Sequence, residues 1–249
     1  MIRKPVLKCF FFNTFTYSAV FFLLLFFSVT LTAAAQVQNH AAGPSVIRGE
    51  VYVDLEPIYA GHVDDEYPLD IPVAGRRALE EAAMLFSAMI YGWSFNYEVG
   101  ERARQIDEIF ELEPVGLIQY SDPGLRVTDT EVRNMQLRVW MDYEMDIIQQ
   151  RRMDVWRSGM TRNAQSIGYG PVFIEEYPGW IAIKQTALED AARAALRSVL
   201  QGSERNRPKE AVGFISLVSF PRYYIDSGRW VVSARFHVQI TDIIPFAAY

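Results

Sequence analysis

The sequence predicts an α+β protein built from two diverged copies of one strand–helix–β-hairpin unit. The hexapeptide Ala-Leu-Glu-Asp-Ala-Ala at residues 187–192 recurs almost unchanged as Ala-Leu-Glu-Glu-Ala-Ala at residues 78–83. Each copy opens an amphipathic helix, follows an extended apolar stretch and precedes a pattern typical of a β-hairpin. We therefore expect two antiparallel sheets, each covered on one face by its alanine-rich helix.

The composition is that of a globular protein and argues against several classes of function. The chain has 249 residues, of which 50% are hydrophobic, and a formal net charge of −6. A net acidic chain without a long basic run is a poor candidate for binding nucleic acid. Its only cysteine is Cys9, so the rest of the chain has no disulfide and no thiolate ligand for a metal. We expect no cofactor and no metal ion.

The first 35 residues have the pattern of an export signal. Three basic residues precede an apolar stretch that is densest at residues 19–27, and three alanines follow at residues 33–35. This order predicts cleavage before Gln36 and a protein of the periplasm. In the alternative, residues 10–31 stay uncleaved and anchor the chain in the inner membrane, facing the periplasm.

A flexible leader is predicted at residues 36–45, and the first α+β unit is predicted at residues 46–148. Alternating β-formers indicate a strand at residues 46–55. A helix is predicted at residues 73–92, where one apolar stripe repeats at helical spacing and the other side, with Met84 and Met89, is apolar too. Such a helix is buried on both sides, and we expect it to pack against its own sheet and against the second unit. A short aromatic edge strand at residues 94–97 and a short helix at residues 101–112 follow.

A hairpin completes the first unit, with extended segments at residues 125–132 and 137–147. In the second segment apolar residues alternate with Arg138, Trp140, Asp142, Glu144 and Asp146, so three carboxylates share one face of the strand. The favoured interpretation is a solvated sheet face. The alternative is a site for a cation or a basic partner.

Residues 149–163 are predicted to link the two units. They are the most basic part of the chain after the export segment, and Met153, Trp156 and Met160 give them an apolar side. We favour a linker helix whose Trp156 packs on one unit. The alternative is a docking segment for an anionic surface such as a membrane.

Residues 164–249 repeat the plan as the second α+β unit. Strands are predicted at residues 169–174 and 179–183, followed by a capping box at Thr186 and Glu189 that opens a helix ending near Gly202. Apolar residues in this helix follow the helical template, and charged residues occupy the opposite face. Two further strands are predicted at residues 211–220 and 230–240.

No motif in the sequence assigns a chemistry. Asp226-Ser227-Gly228 resembles the catalytic tripeptide of aspartic proteases, but that chemistry needs two such loops, and we interpret it as a hairpin turn. The three histidines show no metal-ligand spacing, and there is no nucleophile elbow or phosphate-binding glycine loop. A hydrolase using Asp142 and Glu144 stays open, since catalytic groups can converge only in the fold.

The order of these elements resembles a small domain of the bacterial cell envelope. The features that carry the resemblance are the alanine-rich hexapeptide and a Val-Thr-x-Thr-type hairpin at residues 125–147. Similar domains occur in twenty-kilodalton-type surface lipoproteins and at the N-terminus of the flagellar T-ring assembly protein. The resemblance covers residues 73–148 and, more faintly, 183–240. It implies an assembly or scaffold role without catalytic residues, although the chain lacks the lipidated cysteine of the lipoproteins.

The sequence therefore predicts an exported, non-enzymatic protein of the cell envelope that binds another envelope protein, in a flagellar or outer-membrane assembly. The alternative is a periplasmic binding protein that holds a lipid or small apolar ligand between the two units. The candidate ligand or interface residues are Met84, Met89, Trp93 and Trp156. Membrane contact is expected only through an uncleaved N-terminal segment.

Overall fold

A computed structural model describes residues 45–56, 67–100, 105–170, 180–203 and 208–245. The predicted export segment and nearly all of the leader lie outside these residues. None of the helices within these ranges is both long and apolar enough to cross a bilayer. The helices are α1 (Ile71–Ile90), α2 (Ile147–Trp156) and α3 (Trp180–Ser203). The strands are β1 (Val46–Asp54), β2 (Trp93–Glu98), β3 (Ile109–Pro114), β4 (Leu125–Arg133), β5 (Gln136–Glu144), β6 (Arg162–Tyr169), β7 (Pro208–Leu217), β8 (Arg222–Asp226) and β9 (Arg229–Pro245).

The strands form two antiparallel sheets, which confirms the predicted α+β class. The smaller sheet has the order β1-β5-β4. The larger sheet has the order β3-β2-β7-β9-β6, and β8 pairs with the beginning of the long strand β9. Residues 43–249 form one compact unit. Since β2 pairs along its whole length with β7, strands of both predicted units share the larger sheet.

Helix α1 lies between the two sheets. It contacts β1 and β5 of the smaller sheet and β7 of the larger sheet, as its apolar residues on both sides predict. Ala74, Ala78 and Ala82 are fully buried along one stripe. Their small side chains let the helix axis approach the sheet closely, so the repeated hexapeptide is a packing feature at this position.

Helix α3 covers β6 and β9 of the larger sheet. It lies close to β6 at Gly168, where an added Cβ would be 2.2 Å from both the Ala187 carbonyl oxygen and the Ala191 backbone nitrogen. Ser166 Oγ of the same strand donates a hydrogen bond to the Ala191 carbonyl at 2.7 Å. The second hexapeptide therefore also serves close packing of a helix on a strand.

Three predicted elements of the first unit are wrong. The aromatic strand at residues 94–97 is not an edge strand, because β2 pairs with β3 on one side and β7 on the other. Strand β3 occupies part of the predicted helix at residues 101–112, of which residues 101–104 lie outside the described part. The strand predicted to reach residue 147 ends at Glu144, and Asp146 caps α2 instead.

The predicted linker and the start of the second unit also differ. Helix α2 begins before residue 149, and residues 162–169 form β6. Helix α3 begins at Trp180, so the strand predicted at residues 179–183 is wrong over residues 180–183, and residue 179 lies outside the described part. The capping box predicted at Thr186 is also wrong, because Thr186 lies inside the helix. Thr186 Oγ1 instead donates to the Ala182 carbonyl within the helix.

The two predicted units share part of their topology. In each, the strand before the alanine-rich helix pairs antiparallel with the last strand of the hairpin that follows it: β1 with β5, and β6 with β9. The strand that directly follows the helix does not match, since β7 pairs with β9 whereas β2 pairs with β3 and β7. The internal repeat therefore stays a prediction.

Candidate functional site

A cleft of about 820 Å³ opens between the smaller sheet and the β8–β9 hairpin. Strands β1 and β5 form one wall, the hairpin and the loop before it form the other, and α1 and α3 reach its base. The lining residues are Glu50, Val51, Tyr52, Asp54, Glu81, Leu85, Gln136, Arg138, Lys184, Phe220, Pro221, Arg222, Tyr223, Tyr224, Ile225 and Trp230. The cleft therefore lies between elements of the two predicted units.

A buried ion pair lies at the base of the cleft and joins α1 to α3. Lys184 Nζ is 2.6 Å from Glu81 Oε2, and the two side chains are only 5% and 2% exposed. The same ammonium group lies 3.4 Å from the Tyr52 carbonyl oxygen of β1. Ions are seldom buried unless they are paired, because removal from water is costly.

Two aromatic rings of the β8–β9 hairpin also lie close to Lys184. Its Nζ lies 5.3 Å from the centre of the Tyr223 ring and 5.1 Å from that of Trp230. The rings meet edge to face, with centroids 6.3 Å apart. Cations are attracted to the faces of such rings. The lysine thus connects the hairpin to both helices and fixes one wall of the cleft.

Burial at the base of the cleft shifts the pKa values of Glu81, a member of the ion pair, and of the neighbouring Tyr223. Burial raises the pKa of Glu81, and the Lys184 ammonium opposes this rise without cancelling it. Burial, together with the nearby Glu81 charge, raises the pKa of Tyr223 well above its usual range. The Tyr223 hydroxyl oxygen is buried and has no hydrogen-bond partner among the described residues. It therefore keeps its proton and is available to donate it.

The opposite wall consists of cross-strand pairs between β1 and β5. Arg138 lies opposite Tyr52 in the register, and its guanidinium carbon is 5.2 Å from the centre of that ring. Two positions along, Gln136 Nε2 donates to Asp54 Oδ1 at 2.8 Å. Arg138 Nε is buried and has no acceptor within the described chain. Each wall thus contains a buried hydrogen-bond donor without a partner among the described residues: Tyr223 Oη in one and Arg138 Nε in the other.

The four residues predicted as a ligand site or interface are placed elsewhere. Met89, Trp93 and Trp156 are buried in the core, and Met84 is half-buried against it. The Trp156 indole nitrogen donates to the Ile90 carbonyl at 2.9 Å, which fixes α2 to the end of α1. None of the four lines the cleft. Trp156 does pack on the first unit, as the linker interpretation predicts.

The carboxylates of the predicted acidic face do not converge. Asp142 lies 3.3 Å from Arg48 on β1, and Glu144 lies 2.9 Å from Arg126 on β4. Asp146 accepts hydrogen bonds from the backbone at the start of α2. These groups are engaged by neighbouring strands and a helix end. Across the described ranges, no cluster of histidine and acidic side chains is arranged to hold a metal ion.

The Asp226-Ser227-Gly228 tripeptide is a hairpin turn, as predicted. Asp226 pairs with Arg229, and the two residues between them have φ angles of 52° and 78°. Positive φ at both central residues is the geometry of a tight two-residue hairpin. This turn closes the β8–β9 hairpin, so it supports the wall of the cleft.

Sequence analysis missed the residues that form the cleft, although the positions of two of them, Glu81 and Lys184, indicated that they were unusual. Glu81 occupies a buried stripe of α1 between Ala78 and Leu85, and Lys184 precedes Leu188 on the buried side of α3. A charged residue in an apolar helical stripe indicates a buried partner. Nothing in the sequence identified the partner, because the two residues are 103 positions apart.

Comparisons with known proteins place the chain in a family without assigning a function. No solved structure matches the chain. A protein of Treponema pallidum (strain Nichols) described as uncharacterized is 24% identical over 220 residues, covering 82% of this chain and 90% of the relative. The resemblance to envelope lipoproteins and the flagellar T-ring protein stays a prediction. A family model that carries no description of an activity matches residues 33–246, and the chain therefore belongs to this uncharacterised family.

Proposed function

We propose that this protein is an exported, non-enzymatic binding protein of the cell envelope, whose cleft holds a small organic ligand. The ligand would carry an aromatic or short apolar part and a group that accepts hydrogen bonds. The observation that carries the proposal concerns Tyr223, which lines the cleft and whose buried hydroxyl lacks a partner among the described residues. Buried donors without a partner are rare, and such a group in a cleft indicates a missing acceptor.

The size and lining of the cleft support a small ligand. Its volume of about 820 Å³ falls in the range typical of small-molecule sites. Five aromatic residues contribute to the walls: Tyr52, Phe220, Tyr223, Tyr224 and Trp230. Ionisable groups with displaced pKa values concentrate in functional clefts, and Tyr52, Glu81 and Tyr223 belong to this one.

The unmet hydrogen-bonding groups determine the polarity of the ligand. The acidic side chains of the cleft are engaged: Asp54 accepts from Gln136, Glu50 from Tyr52, and Glu81 from Lys184. The unused donors are Tyr223 Oη and Arg138 Nε. A ligand with a carboxylate or phosphate group would satisfy them, and this makes an anionic ligand a better fit than a purely apolar one.

Native mass spectrometry of gently purified protein tests this proposal. We expect a mass above that of the polypeptide, which is reduced in Tyr223→Phe and lost in Trp230→Ala. The matched control is Tyr97→Phe, which alters a buried tyrosine of β2 outside the cleft. A ligand-free mass for the wild type, together with no thermal shift on adding small aromatic carboxylates or phosphates, would overturn it.

A second candidate function is binding of another envelope protein, which the exposed strand β4 favours. After Leu125 the residues of β4 are exposed, including Val127 and Val132, and within the described chain β4 pairs only with β5. An open strand edge accepts an extended segment from a partner. A photocrosslinker at Val132 should give one adduct of defined mass in envelopes, whereas the same probe at Arg76 should not. Equal labelling from both positions would count against this function.

A further inference from the structure

Helix α2 presents an exposed surface that mixes apolar and basic side chains. Ile147, Ile148 and Val155 are 56%, 69% and 49% exposed, and Met160 in the turn that follows is 72% exposed. Exposed arginines at positions 151, 157 and 162 alternate with them along the chain. We call these seven residues the α2 surface: Ile147, Ile148, Arg151, Val155, Arg157, Met160 and Arg162. Exposed apolar groups of this kind, set among charged residues, mark interaction sites.

The orientation of α2 is fixed by its other side. Gln149 Nε2 donates to the hydroxyl oxygens of Tyr91 and Tyr143, each at 2.9 Å. Met153 and Trp156 are buried. A complete capping box at Asp146 and Gln149 holds the first turn. The isoleucines at the start of the helix are therefore held toward solvent by well-packed contacts.

The charge of this segment is opposite to that of the whole chain. Residues 147–163 contain four arginines and one acidic residue, Asp154, whereas the net charge of the protein is −6. Arg152, the fourth arginine, stacks on Tyr91 with its guanidinium carbon 5.6 Å from the ring centre. The remaining three are free of ion pairs within the described residues. They form a local positive patch suited to an anionic surface.

We propose that the α2 surface docks on the headgroup region of an anionic lipid bilayer. Isoleucine, valine and methionine side chains would insert between the lipids, while the arginines would reach the phosphate groups. The helix has ten residues and is about 15 Å long. With its buried side packed on the protein, its exposed side would lie along the interface. This is a contact of the folded domain with the membrane, separate from the predicted export segment and independent of the cleft.

A lipid surface fits these residues better than an acidic protein does. The helix face is convex, and its apolar side chains are spread between charged ones, whereas protein interfaces have a compact apolar core with a polar rim. A shallow pocket of about 270 Å³ continues the surface beside Met160 and Arg162, and its other lining residues are Val238, Ile240, Thr241, Asp242 and Ile243. Its single acid, Asp242, accepts a hydrogen bond from the Ile243 backbone.

Vesicle co-sedimentation of the full chain tests the proposal. The vesicles consist of phosphatidylcholine alone or phosphatidylcholine mixed with phosphatidylglycerol. We expect salt-sensitive binding to the anionic vesicles. The triple variant Arg151→Gln/Arg157→Gln/Arg162→Gln should bind on the order of a hundredfold more weakly. Because residues 10–31 could bind lipid themselves, the comparison is always between variants of the same full chain.

Matched controls separate the α2 surface from general effects. Ile147→Ser/Ile148→Ser should weaken binding, whereas Ile106→Ser and Arg133→Gln, exposed changes outside this surface, should not. Circular dichroism checks that each variant is folded. Equal vesicle binding by the wild type and both α2 variants would overturn the proposal. So would an arginine-dependent interaction with soluble polyglutamate but not with vesicles, since this would assign the surface to an acidic protein.

Discussion

Replacing Lys184 by methionine removes the cation beside Glu81 while keeping a side chain of similar length. The remaining Glu81 carboxyl is 2% exposed. In the folded variant it either stays ionised without its partner or binds a proton. Protonation is the less costly choice, because burying an isolated carboxylate is far more unfavourable than shifting its pKa.

The cost of keeping Glu81 protonated sets the size and pH dependence of the effect. Holding a carboxyl neutral costs about 1.36 kcal/mol for each pH unit above its pKa in the unfolded chain. With an ordinary value of 4.5, this cost is about 3.4 kcal/mol near pH 7 and about 0.7 kcal/mol near pH 5. Loss of the contacts with the Tyr223 and Trp230 rings adds about 0.5–2 kcal/mol at either pH.

We therefore expect Lys184→Met to lose about 3–5 kcal/mol of the free energy of unfolding near neutral pH, and much less near pH 5. Urea unfolding at several pH values, followed by tryptophan fluorescence and circular dichroism, measures this loss. The double variant Glu81→Met/Lys184→Met has no buried charge. It should recover most of the lost stability and show no additional pH dependence.

The result that would refute this reasoning is a loss of stability that is the same at both pH values. It would mean that Glu81 remains ionised at little cost in the variant, so that water reaches the carboxylate through the cleft. The wild type provides the second comparison. Burial already raises the pKa of Glu81, so its folded state binds more protons than the unfolded state above pH 4.5. Relative to Glu81→Met/Lys184→Met, its stability should therefore decline as the pH rises through that range, but less steeply than that of the single variant.

Three further predictions concern the packing of α3 on Gly168, the ionisation of His237 and the cap of α2. Gly168→Ala should lower the free energy of unfolding by about 1–3 kcal/mol, because the methyl group would meet the backbone of α3. The matched change Gly75→Ala, where nothing lies within 4 Å, should raise it by about 0.5–1 kcal/mol; similar effects in urea unfolding would contradict this. Burial lowers the pKa of His237 below 6.5, so the contribution of His237 to stability should fall as the pH drops through 6.5. A slope retained in His237→Gln would assign this loss to another group. Asp146→Ala should cost about 1 kcal/mol by loss of the α2 cap, and an equal loss in Asp154→Ala, an exposed change within the helix, would argue against a capping effect.

Helices whose apolar residues repeat over several turns were predicted well from the sequence. The predicted helix at residues 73–92 corresponds closely to α1, and its burial on both sides was deduced from apolar residues all around it. The beginning of α3 was missed, because Trp-Ile-Ala-Ile at residues 180–183 is a short apolar run that fits a strand equally well. Flanking sequence does not resolve such runs, since tertiary contacts decide them.

Strand β3 shows how pairing overrides local pattern. Ile106, Ile109 and Phe110 have helical spacing, which predicted a helix. In the structure Phe110 lies opposite Tyr97, and Leu112 lies opposite Phe95 on β2. Partners from a neighbouring strand thus determine the conformation here. The α2 cap was different, because Asp146 and Gln149 form a recognisable capping-box pattern that could have placed the helix start.

The cleft was not predicted because its residues come from six elements that are distant in the sequence. Tyr52 and Arg138 meet through strand register, whereas Glu81 and Lys184 meet through the packing of two helices. No local pattern contains either relation. The sequence did suggest a ligand site between the two units, but it selected conspicuous methionines and tryptophans. Of these, Met89, Trp93 and Trp156 are buried in the core, and Met84 packs against it.

Alignment of the two hexapeptides shows what is specific to the cleft. The alanines at equivalent positions, such as Ala78 and Ala187, are fully buried in both helices, because both helices pack closely on strands. The equivalent of Glu81 is Asp190, which accepts a hydrogen bond from the Tyr169 backbone at 3.0 Å. The equivalent of Lys184 is Gly75, which has no side chain to pair with an acid. The residues that the two helices share therefore explain how each helix packs on its strands. The buried ion pair is not shared, because it forms between Glu81 and Lys184 but not between the equivalent residues Asp190 and Gly75. We infer that the pair serves the cleft it lines, since helix packing at the other place is achieved without it.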